Sequence, residues 1–258
     1  MTSPSANVFD LTGRVALVTG AGVGIGRATA LALANAGASV GIHYNASATE
    51  ARQTFESLTQ AGGTGWLLQG DLADEVQANR VVDQLIAQAG RLDILVNNAG
   101  NPLERRPLEQ CPTELWMQAF QINVHAAFFV SRRAIPFLKQ SGNGSIINNL
   151  SLSVQTGGAG GAGAYAAAKG ALQVMTRTLS RELAPTVRVN AVMPGVVETR
   201  QHELFSTPER MADYRRQTPL GRNGTADEVA QAILFLASDG ARFMTGAILD
   251  INGGRFLR

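Results

Sequence analysis

Residues 15–27 of this 258-residue chain read Val-Ala-Leu-Val-Thr-Gly-Ala-Gly-Val-Gly-Ile-Gly-Arg. The valine-rich apolar run 15–19 predicts a strand that is buried on both faces of a sheet. Residues 27–36, which follow the glycines, are mostly alanine and leucine and favour a helix. The stretch therefore predicts a strand, a glycine-rich turn and a helix in immediate succession.

The glycines of this turn are spaced as Gly20, three residues, Gly24, one residue and Gly26. This spacing differs from G-x-G-x-x-G, because Ile25 and Arg27 occupy the positions where the third glycine is needed. Glycines still let the backbone approach a pyrophosphate, and the N-terminus of the following helix attracts the anion. The loop therefore indicates a nucleotide site, and a tight strand–helix turn without a ligand is the alternative.

Short apolar runs alternate with longer helical stretches along the rest of the chain. We predict strands at residues 15–19, 39–43, 65–69, 94–97, 145–150, 187–192 and 247–251. We predict helices at residues 27–36, 48–61, 75–89, 114–139, 165–183 and 226–238. Gly37 and Gly90 stand where helix C-terminal glycines are favoured, and Thr225 stands where an N-cap is favoured. The alternation predicts the α/β class, as a doubly wound Rossmann-type parallel sheet of about seven strands with helices on both faces.

No repeat or linker-like segment divides the chain, so we expect a single domain over residues 1–258, with residues 1–10 as a flexible tail. The Gly/Ala-rich stretch 157–164 has the composition of a linker. Because it directly precedes Tyr165, we interpret it as an active-site loop.

The composition restricts the class of protein. A hydrophobic content of 45% and a charged content of 16% are typical of a compact globule. The net charge of +2 argues against a nucleic-acid partner. Cys111 is the only cysteine, so no intrachain disulfide or thiolate metal cluster is possible, and we predict no metal site. Residues 1–7 lack the basic and apolar regions of a signal peptide, and no apolar run approaches the ~20 residues of a membrane span. We expect a cytoplasmic protein without a membrane partner.

Tyr165 and Lys169 lie four residues apart, on one face of a predicted helix. An ammonium favours the ionised phenol, so we expect Lys169 to lower the pKa of Tyr165 from about 10 towards working pH. Such a tyrosine can donate and accept a proton. With the nucleotide site, the pair predicts hydride chemistry; an ordinary helix face is the alternative.

Several short motifs follow one another in an order that is highly specific, although each alone is weak. They are the loop 19–26, Asp71, Asn-Asn-Ala-Gly at 97–100, Asn123, the serines after the strand 145–150, Tyr165 with Lys169, Pro194 with Gly195, and Thr-Gly-Ala-Ile-Leu-Asp-Ile-Asn-Gly-Gly at 245–254. In this ordered set, from about Leu11 to Gly254, the chain resembles the classical short-chain dehydrogenases/reductases.

The resemblance implies a nicotinamide dinucleotide cofactor. It places the three glycines at the pyrophosphate, Asp71 at the adenine, Asn98 beside the adenosine ribose and Thr199 at the carboxamide. For Asn98, a strand-end turn is the alternative. The implied cofactor-binding set is Gly20, Gly24, Ile25, Gly26, Tyr44, Asn45, Asp71, Leu72, Asn98, Ala99, Gly100, Tyr165, Lys169, Pro194, Gly195, Val197 and Thr199.

The end of the second strand bears on the choice between NADP and NAD. An acidic residue there binds the ribose 2′-hydroxyl of NAD and repels the 2′-phosphate of NADP. Tyr44 and Asn45 occupy the region instead, and Asn45 and Ser47 can donate to a phosphate. Members of the family that use NADP carry a basic residue in the glycine loop, where this chain has Val23. We expect NADP to be favoured, with NAD as the alternative.

The resemblance also implies a catalytic set of Asn123, Ser151, Tyr165 and Lys169. Tyr165 would be the acid/base, a serine would hold the substrate carbonyl, and Asn123 would support Lys169 through a water. Thirteen residues separate Ser151 from Tyr165 and eleven separate Ser153 from it, whereas the family has about twelve. We choose Ser151, with an insertion in the stretch 157–163, and keep Ser153 as the alternative.

We therefore expect an oxidoreductase that acts on a ketone or a secondary alcohol. A 3-oxoacyl thioester reductase and a sugar or polyol dehydrogenase are both compatible, and a non-catalytic nucleotide-binding regulator is the competing class. The predicted substrate segments are residues 102–106, 152–163 and 196–205, and His202 is a candidate substrate contact. The resemblance further implies a homotetramer that pairs the helices around 114–139 and 165–183.

Overall fold

A computed structural model of the chain describes residues 7–199 and 207–257. Its centre is a seven-stranded sheet, in which every neighbouring pair is parallel and the strand order is β3-β2-β1-β4-β5-β6-β9. The strands are β1 Val15–Val18, β2 Ser39–Tyr44, β3 Gly65–Gln69, β4 Ile94–Asn97, β5 Gly144–Asn149, β6 Val187–Pro194 and β9 Ile248–Ile251. The predicted fold class, a doubly wound Rossmann-type sheet of seven strands, is confirmed.

The helices are α1 to α9 in chain order. They are α1 Gly24–Asn35, α2 Ala48–Gln60, α3 Glu75–Ala89, α4 Thr113–Phe120, α5 Ala126–Gln140, α6 Ser153–Thr156, α7 Gly163–Glu182, α8 Pro208–Gln217 and α9 Ala226–Ala237. A separate parallel pair, β7 Val197–Glu198 and β8 Gly224–Thr225, lies near the end of β6.

The sheet has a hydrophobic core on each face. In β1, Val18 belongs to the core shared with α1 and α9, whereas Leu17 belongs to the core shared with α3 and α5. Successive side chains of a strand point to opposite faces, so a strand covered on both sides must be apolar at every position. This is the physical reason for the uninterrupted apolar run at 15–18.

The predicted helix ends are largely confirmed. Gly90 ends α3 with a left-handed φ of 74°, and Gly37 follows α1 with a φ of 97°. Thr225 caps α9 in a capping box with Glu228. Residues without a β-carbon, or with a side-chain acceptor, are favoured at these positions for local steric and hydrogen-bonding reasons.

Three elements differ from the sequence prediction. The single helix expected at 114–139 is divided into α4 and α5 by a π-helical turn, Gln121–His125. The short helices α6 and α8 were not predicted. The pair β7–β8 was not predicted either, since two-residue strands have no detectable period.

Of the predicted N-terminal tail, residues 1–6 lie outside the described residues. Residues 7–10 form a turn in which the Asp10 N–H donates to the Asn7 carbonyl over 2.9 Å. Asp10 in turn accepts from the Thr12 N–H and hydroxyl. Within the described ranges, no helix is both long and apolar enough to cross a membrane.

Candidate active site

A cleft of about 820 Å³ lies at the carboxyl ends of the strands, where the chain order reverses between β1 and β4. Ligands of doubly wound sheets bind at this position. The glycine loop after β1 lines one part of the cleft, and Ser151, Tyr165 and Lys169 line another. The structure therefore brings the two groups of motifs, which are some 140 residues apart in sequence, into one cavity.

The glycine loop needs glycine for two different reasons. Gly20 and Gly24 have positive φ values of 64° and 54°, which residues with a β-carbon rarely adopt. At Gly26 the constraint is space, because a β-carbon there would lie 2.1 Å from the Gly20 carbonyl oxygen. The close packing of the loop against the start of α1 therefore depends on all three glycines.

The N-terminus of α1 is suited to an anion. Val23 at the N-cap makes no side-chain hydrogen bond, and the first turn contains no acidic residue. The first N–H groups of a helix have no acceptor within the helix, and its dipole is positive at that end. Val23, Gly24, Ile25 and Gly26 all line the cleft. These features fit the pyrophosphate of a dinucleotide.

Asn98 fastens the glycine loop to the neighbouring strands. Its side-chain amide donates to the carbonyls of Thr19 and Gly20 over 2.9 and 3.2 Å. The Thr19 hydroxyl accepts from the N–H groups of Asn98 and Ala99 over 2.9 and 3.0 Å. Asn149, at the end of β5, donates to the Asn98 side chain over 2.9 Å. Asn98 thus lines the cleft while its side chain bonds to the protein itself.

His43 is a second fastening of this loop, and its role was not predicted. Its Nδ1 accepts from the Gly20 N–H over 3.1 Å, and its Nε2 donates to the Gly70 carbonyl over 3.0 Å. Both nitrogens of a neutral imidazole are used. Burial is the main reason that the pKa of His43 falls to about 4, and the hydrogen bond to Gly70 and the charge of Asp71 oppose it. A strand-end histidine carries no sequence signal for this contact.

The end of β2 and the segment that follows it also line the cleft, through Tyr44, Asn45, Ala46 and Ser47. Ser47 lies so close to the loop that its Oγ would be 2.8 Å from a β-carbon on Gly22. No aspartate or glutamate occurs among the described residues that line the cleft. Arg52 is exposed on α2, as expected from its helix position.

Tyr165 lies in the first turn of α7, and the Ser151 side chain is close enough to its phenol to lower the phenol's pKa. Ser151 also accepts from the N–H and the hydroxyl of Ser153, over 3.2 and 2.9 Å. Ser153 therefore stands behind Ser151 in a short chain of hydroxyl groups. Of the two serines, Ser151 is the one whose side chain acts on the Tyr165 phenol.

The expected lowering of the Tyr165 pKa by Lys169 is wrong for this structure. Burial raises the pKa of Tyr165 to about 12, and only the hydrogen bond with Ser151 and the charge of Arg105 oppose that rise. Lys169 donates to the Asn149 carbonyl over 2.7 Å, and its Nζ is 5.8 Å from the Tyr165 ring centre. Burial lowers the pKa of Lys169 itself to about 8. Spacing on a helix predicted proximity correctly but could not predict the desolvation of both groups.

Asn123 lies in the π-helical turn and is fully buried. Its amide donates to the carbonyls of Asn101 and Ala119, both over 2.9 Å, and its Oδ1 accepts from the Asn101 N–H over 3.1 Å. Gly100 packs against it, since a β-carbon there would lie 2.6 Å from this Oδ1 and 3.2 Å from the Lys169 Nζ. Asn123 therefore stands behind the cleft wall near Lys169.

Most of the predicted site residues line the cleft, and a few do not. Those that line it are Gly20, Gly24, Ile25, Gly26, Tyr44, Asn45, Asn98, Ala99, Gly100, Ser151, Tyr165, Lys169, Pro194, Gly195, Val197 and Thr199. Asn123, Asp71 and Leu72 are not among its lining residues. His202, with residues 200–205 of the predicted substrate segment, lies outside the described residues.

The structure adds cleft residues from segments without a motif. Tyr214 and Gln217 on α8 and Arg255 after β9 line the cleft. The Arg255 guanidinium stacks on the Tyr214 ring at 4.6 Å and donates to Gln217 over 2.7 Å. These residues are polar and far apart in sequence, so only the fold brings them together. Among the described residues, no group of three or more His, Cys, Asp or Glu side chains is placed to hold a metal ion.

Comparison with known proteins agrees with the fold. Residues 20–255 match the family described as enoyl-(acyl carrier protein) reductase. The chain is 39% identical over 247 residues to an uncharacterized oxidoreductase of Methylorubrum extorquens, covering 95% of this chain and 98% of the relative. It is 37% identical over 204 residues to the cyclopentanol dehydrogenase of Comamonas testosteroni, covering 78% and 81%. A structure of 7α-hydroxysteroid dehydrogenase complexed with NADH and 7-oxo glycochenodeoxycholic acid superposes with a TM-score of 0.92 at 31% identity, covering 98% of both chains.

The chain therefore belongs to the short-chain dehydrogenase/reductase family. It is an oxidoreductase of the class that acts on alcohol and carbonyl groups with a nicotinamide cofactor.

Proposed function

We propose that the protein transfers a hydride between NADP(H) and a ketone or secondary alcohol, with Tyr165 as the acid/base. One observation carries the proposal. The Tyr165 hydroxyl lies beside the Ser151 side chain, in the same cleft as an uncapped glycine-rich helix start that fits a pyrophosphate. A proton donor beside a dinucleotide site is the minimum that carbonyl reduction requires.

The side chains at the Tyr165 end suit reduction of a carbonyl. The bound nicotinamide supplies or accepts the hydride. Negative charge then develops on the carbonyl oxygen, and Ser151 can donate a hydrogen bond to it. Since the pKa of Tyr165 is raised to about 12, its hydroxyl is protonated at neutral pH and is a proton donor. Lys169 lies 5.8 Å from the Tyr165 ring centre and donates to the Asn149 carbonyl, so it contributes a cation to this end of the cleft.

The family's assignment of cofactor contacts is adopted as part of the proposal. The glycine loop would hold the pyrophosphate, Asp71 the adenine, and Lys169 the nicotinamide ribose. A β-carbon on Gly24 would lie 3.4 Å from the Thr199 Cγ2, so the loop and the Pro194–Thr199 region are close enough to hold one ligand between them. We further propose that Asn123 positions Lys169 through a water.

The preference for NADP(H) rests on charge. Because no described carboxylate lines the cleft near Tyr44 and Asn45, nothing there repels a 2′-phosphate, and Asn45 and Ser47 can donate to it. The NADH named for the hydroxysteroid dehydrogenase keeps NAD as the competing assignment. Titration of both reduced cofactors into the wild type decides between them: NADPH should bind more tightly, and Tyr44→Asp should reverse the order. A clear preference of the wild type for NADH would overturn this assignment.

The proposed assembly is a homotetramer. Exposed apolar side chains occur on α4, α5 and α7, where Met117, Phe128 and Val174 are 57%, 41% and 62% exposed. Such side chains on adjacent helices support the homotetramer implied by the family. Light scattering of the purified protein tests this, and a monomer at micromolar concentration would contradict it. We propose a cytoplasmic location, which fractionation of the producing cell tests.

A carbonyl panel tests the main proposal. Consumption of NADPH and NADH is followed with simple ketones, a 3-oxoacyl thioester and a ketose, and the reverse reaction is followed with polyols. Turnover of at least one substrate by the wild type, lost in Tyr165→Phe, is expected. Cofactor binding without turnover of any substrate would favour a nucleotide-binding regulator instead.

A further inference from the structure

The Tyr165 end of the cleft is positively charged. Three cations line the cleft, Arg105, Lys169 and Arg255, and no aspartate or glutamate of the described chain does. Lys169 donates to the Asn149 carbonyl, and Arg255 bonds to Gln217 and stacks on Tyr214. Arg105 differs from both, because its guanidinium makes no hydrogen bond or ion pair within the described residues, and its Nε is buried without a partner.

The backbone around Arg105 is held firmly in place. The Asn101 side chain accepts from the Leu103 N–H over 2.8 Å, and Leu103 adopts a positive φ of 56° that a branched side chain rarely adopts. The Arg106 N–H donates to the Gly161 carbonyl over 2.8 Å, which joins this segment to the glycine-rich loop before Tyr165. The direction of the Arg105 side chain is therefore set by a fixed backbone rather than by a carboxylate partner.

Arg105 lies at the Tyr165 end of the cleft and not at the end near Tyr44. A β-carbon on Gly160 would be 3.9 Å from its NH1, and its charge acts on the Tyr165 phenol. Its neighbour Arg106 makes the opposite arrangement: it is exposed, does not line the cleft and forms an ion pair with Glu104 at 2.5 Å. Of these two adjacent arginines, Arg106 is paired with a carboxylate, whereas Arg105 has no partner among the described residues.

We propose that Arg105 binds an anionic group of the substrate, so that the enzyme acts on oxo or hydroxy compounds that carry a carboxylate or a phosphate. The Arg105 guanidinium lines the cleft without a protein acceptor, and a guanidinium binds a carboxylate or a phosphate through paired hydrogen bonds. The absence of described carboxylates from the cleft wall removes repulsion of such a substrate. This inference rests on the proposed carbonyl chemistry and narrows its substrate class.

The experiment compares matched anionic and neutral ketones. Reduction of 4-oxopentanoate and its methyl ester, and of dihydroxyacetone phosphate and dihydroxyacetone, is measured with the preferred cofactor. We expect the wild type to favour one or both anions in kcat/KM by about 10- to 100-fold, the range of a hydrogen bond to a charged group. The pair with the larger preference identifies the anion as carboxylate or phosphate.

Variants assign that preference to one side chain. Arg105→Gln should remove most of the preference, mainly through the KM of the anionic ketones. Loss of its charge beside the Tyr165 phenol should change kcat for the anionic and the neutral ketone of a pair by the same factor. Arg105→Lys should retain part of it, because charge remains without the paired geometry. Arg106→Gln is the matched control and should keep the wild-type preference, since its side chain lies outside the cleft. Thermal unfolding of each variant verifies the fold.

The outcomes separate this inference from the proposed function. Equal reduction of anionic and neutral ketones by the wild type overturns the role of Arg105 and leaves the proposed function standing, as does a preference unchanged in Arg105→Gln. If no ketone is reduced, the proposed function fails, and calorimetric titration of 4-oxopentanoate and of dihydroxyacetone phosphate into the NADPH-loaded protein decides the role of Arg105. Binding lost in Arg105→Gln but kept in Arg106→Gln supports it, and no binding to the wild type overturns it.

Discussion

The glycine-loop end of the cleft and the Tyr165 end differ in how their polar groups are partnered. At the first end, the Gly20 N–H, the Thr19 hydroxyl and the Asn98 amide all bond to other parts of the protein. At the second end, the Arg105 guanidinium has no partner among the described residues, although it lines the cleft. The cofactor is always the same compound, so hydrogen bonds within the protein can order its site before it binds. At the Tyr165 end, polar groups such as the Arg105 guanidinium remain available for hydrogen bonds to a substrate.

Removing the Tyr165 hydroxyl should produce the largest effect on activity, and that effect should be confined to the Tyr165 end of the cleft. Tyr165→Phe deletes the proton donor and keeps the ring, so kcat for ketone reduction should fall by about 10²–10⁴-fold. The NADPH dissociation constant should change little, because the glycine-loop end is intact. Steady-state kinetics and cofactor fluorescence titration measure the two quantities, and near-normal kcat in Tyr165→Phe would refute the assigned acid.

Substituting Ser151 and Ser153 one at a time distinguishes a hydroxyl that contacts the substrate from one that only supports it. Ser151→Ala removes the hydroxyl beside Tyr165 and should reduce kcat by about 10²–10³-fold, as expected for loss of a donor to developing oxyanion charge. Ser153→Ala removes only a donor to Ser151 and should remain within about tenfold of wild type. Both variants are measured on the best substrate of the panel. A severe loss confined to Ser153→Ala would transfer the role to that residue.

The glycine-loop end is tested by adding one methyl group. Gly26→Ala forces a β-carbon onto the Gly20 carbonyl and should cost about 3 kcal/mol, as lost stability or as lost NADPH affinity. Gly170→Ala is a suitable control, because it lies inside α7 with only one atom near 4 Å and should stabilise the helix by about 0.5–1 kcal/mol. Denaturant unfolding and cofactor titration measure both. Equal effects of the two substitutions would show that the close approach at Gly26 is unimportant.

The smallest expected effect concerns pH and the fastening of the loop by His43. The folded-state pKa of about 4 lies below the unfolded value near 6.5, so the unfolded chain binds the extra proton first as pH falls. His43 thus stabilises the fold fully above pH 6.5, and this contribution is lost between about pH 6.5 and 4. At pH 5 the loss should be about 2 kcal/mol. Urea unfolding from pH 4 to 7 should show a shallower pH slope in His43→Gln than in wild type. An unchanged slope would contradict the depressed pKa.

The sequence predicted most of the fold and many of the residues that line the cleft. The strand 94–97 and the helix 75–89 have the predicted bounds, because burial on both faces requires an unbroken apolar run and burial of one stripe imposes a helical period. The edge strand 65–69 also has the predicted bounds. The prediction failed at the π-helical turn around Asn123. There a residue is inserted into an otherwise regular helix, and the amide bonds to Asn101 on a different segment, which no helical period reveals.

The structure shows where the predicted site residues lie, whereas the roles assigned to them are still to be tested. Tyr165, Lys169 and Ser151 do meet in one cleft, whereas their catalytic roles, and those of the cofactor-binding residues, stay predictions until the variants are measured. The missed residues share one property, which is that their partners come from distant sequence. His43 meets Gly20 and Gly70, and Arg255 meets Tyr214 and Gln217.

By itself, the sequence determined the α/β alternation, the glycine loop at the start of α1 and the four-residue spacing of Tyr165 and Lys169. These follow from steric limits and periodicities that act within a few residues. Only the tertiary structure decided that the pKa of Tyr165 rises to about 12, that Lys169 bonds to Asn149 and that Arg105 has no partner among the described residues. Desolvation and charge pairing depend on which distant segments surround a group, and the chain order does not contain that information in local form.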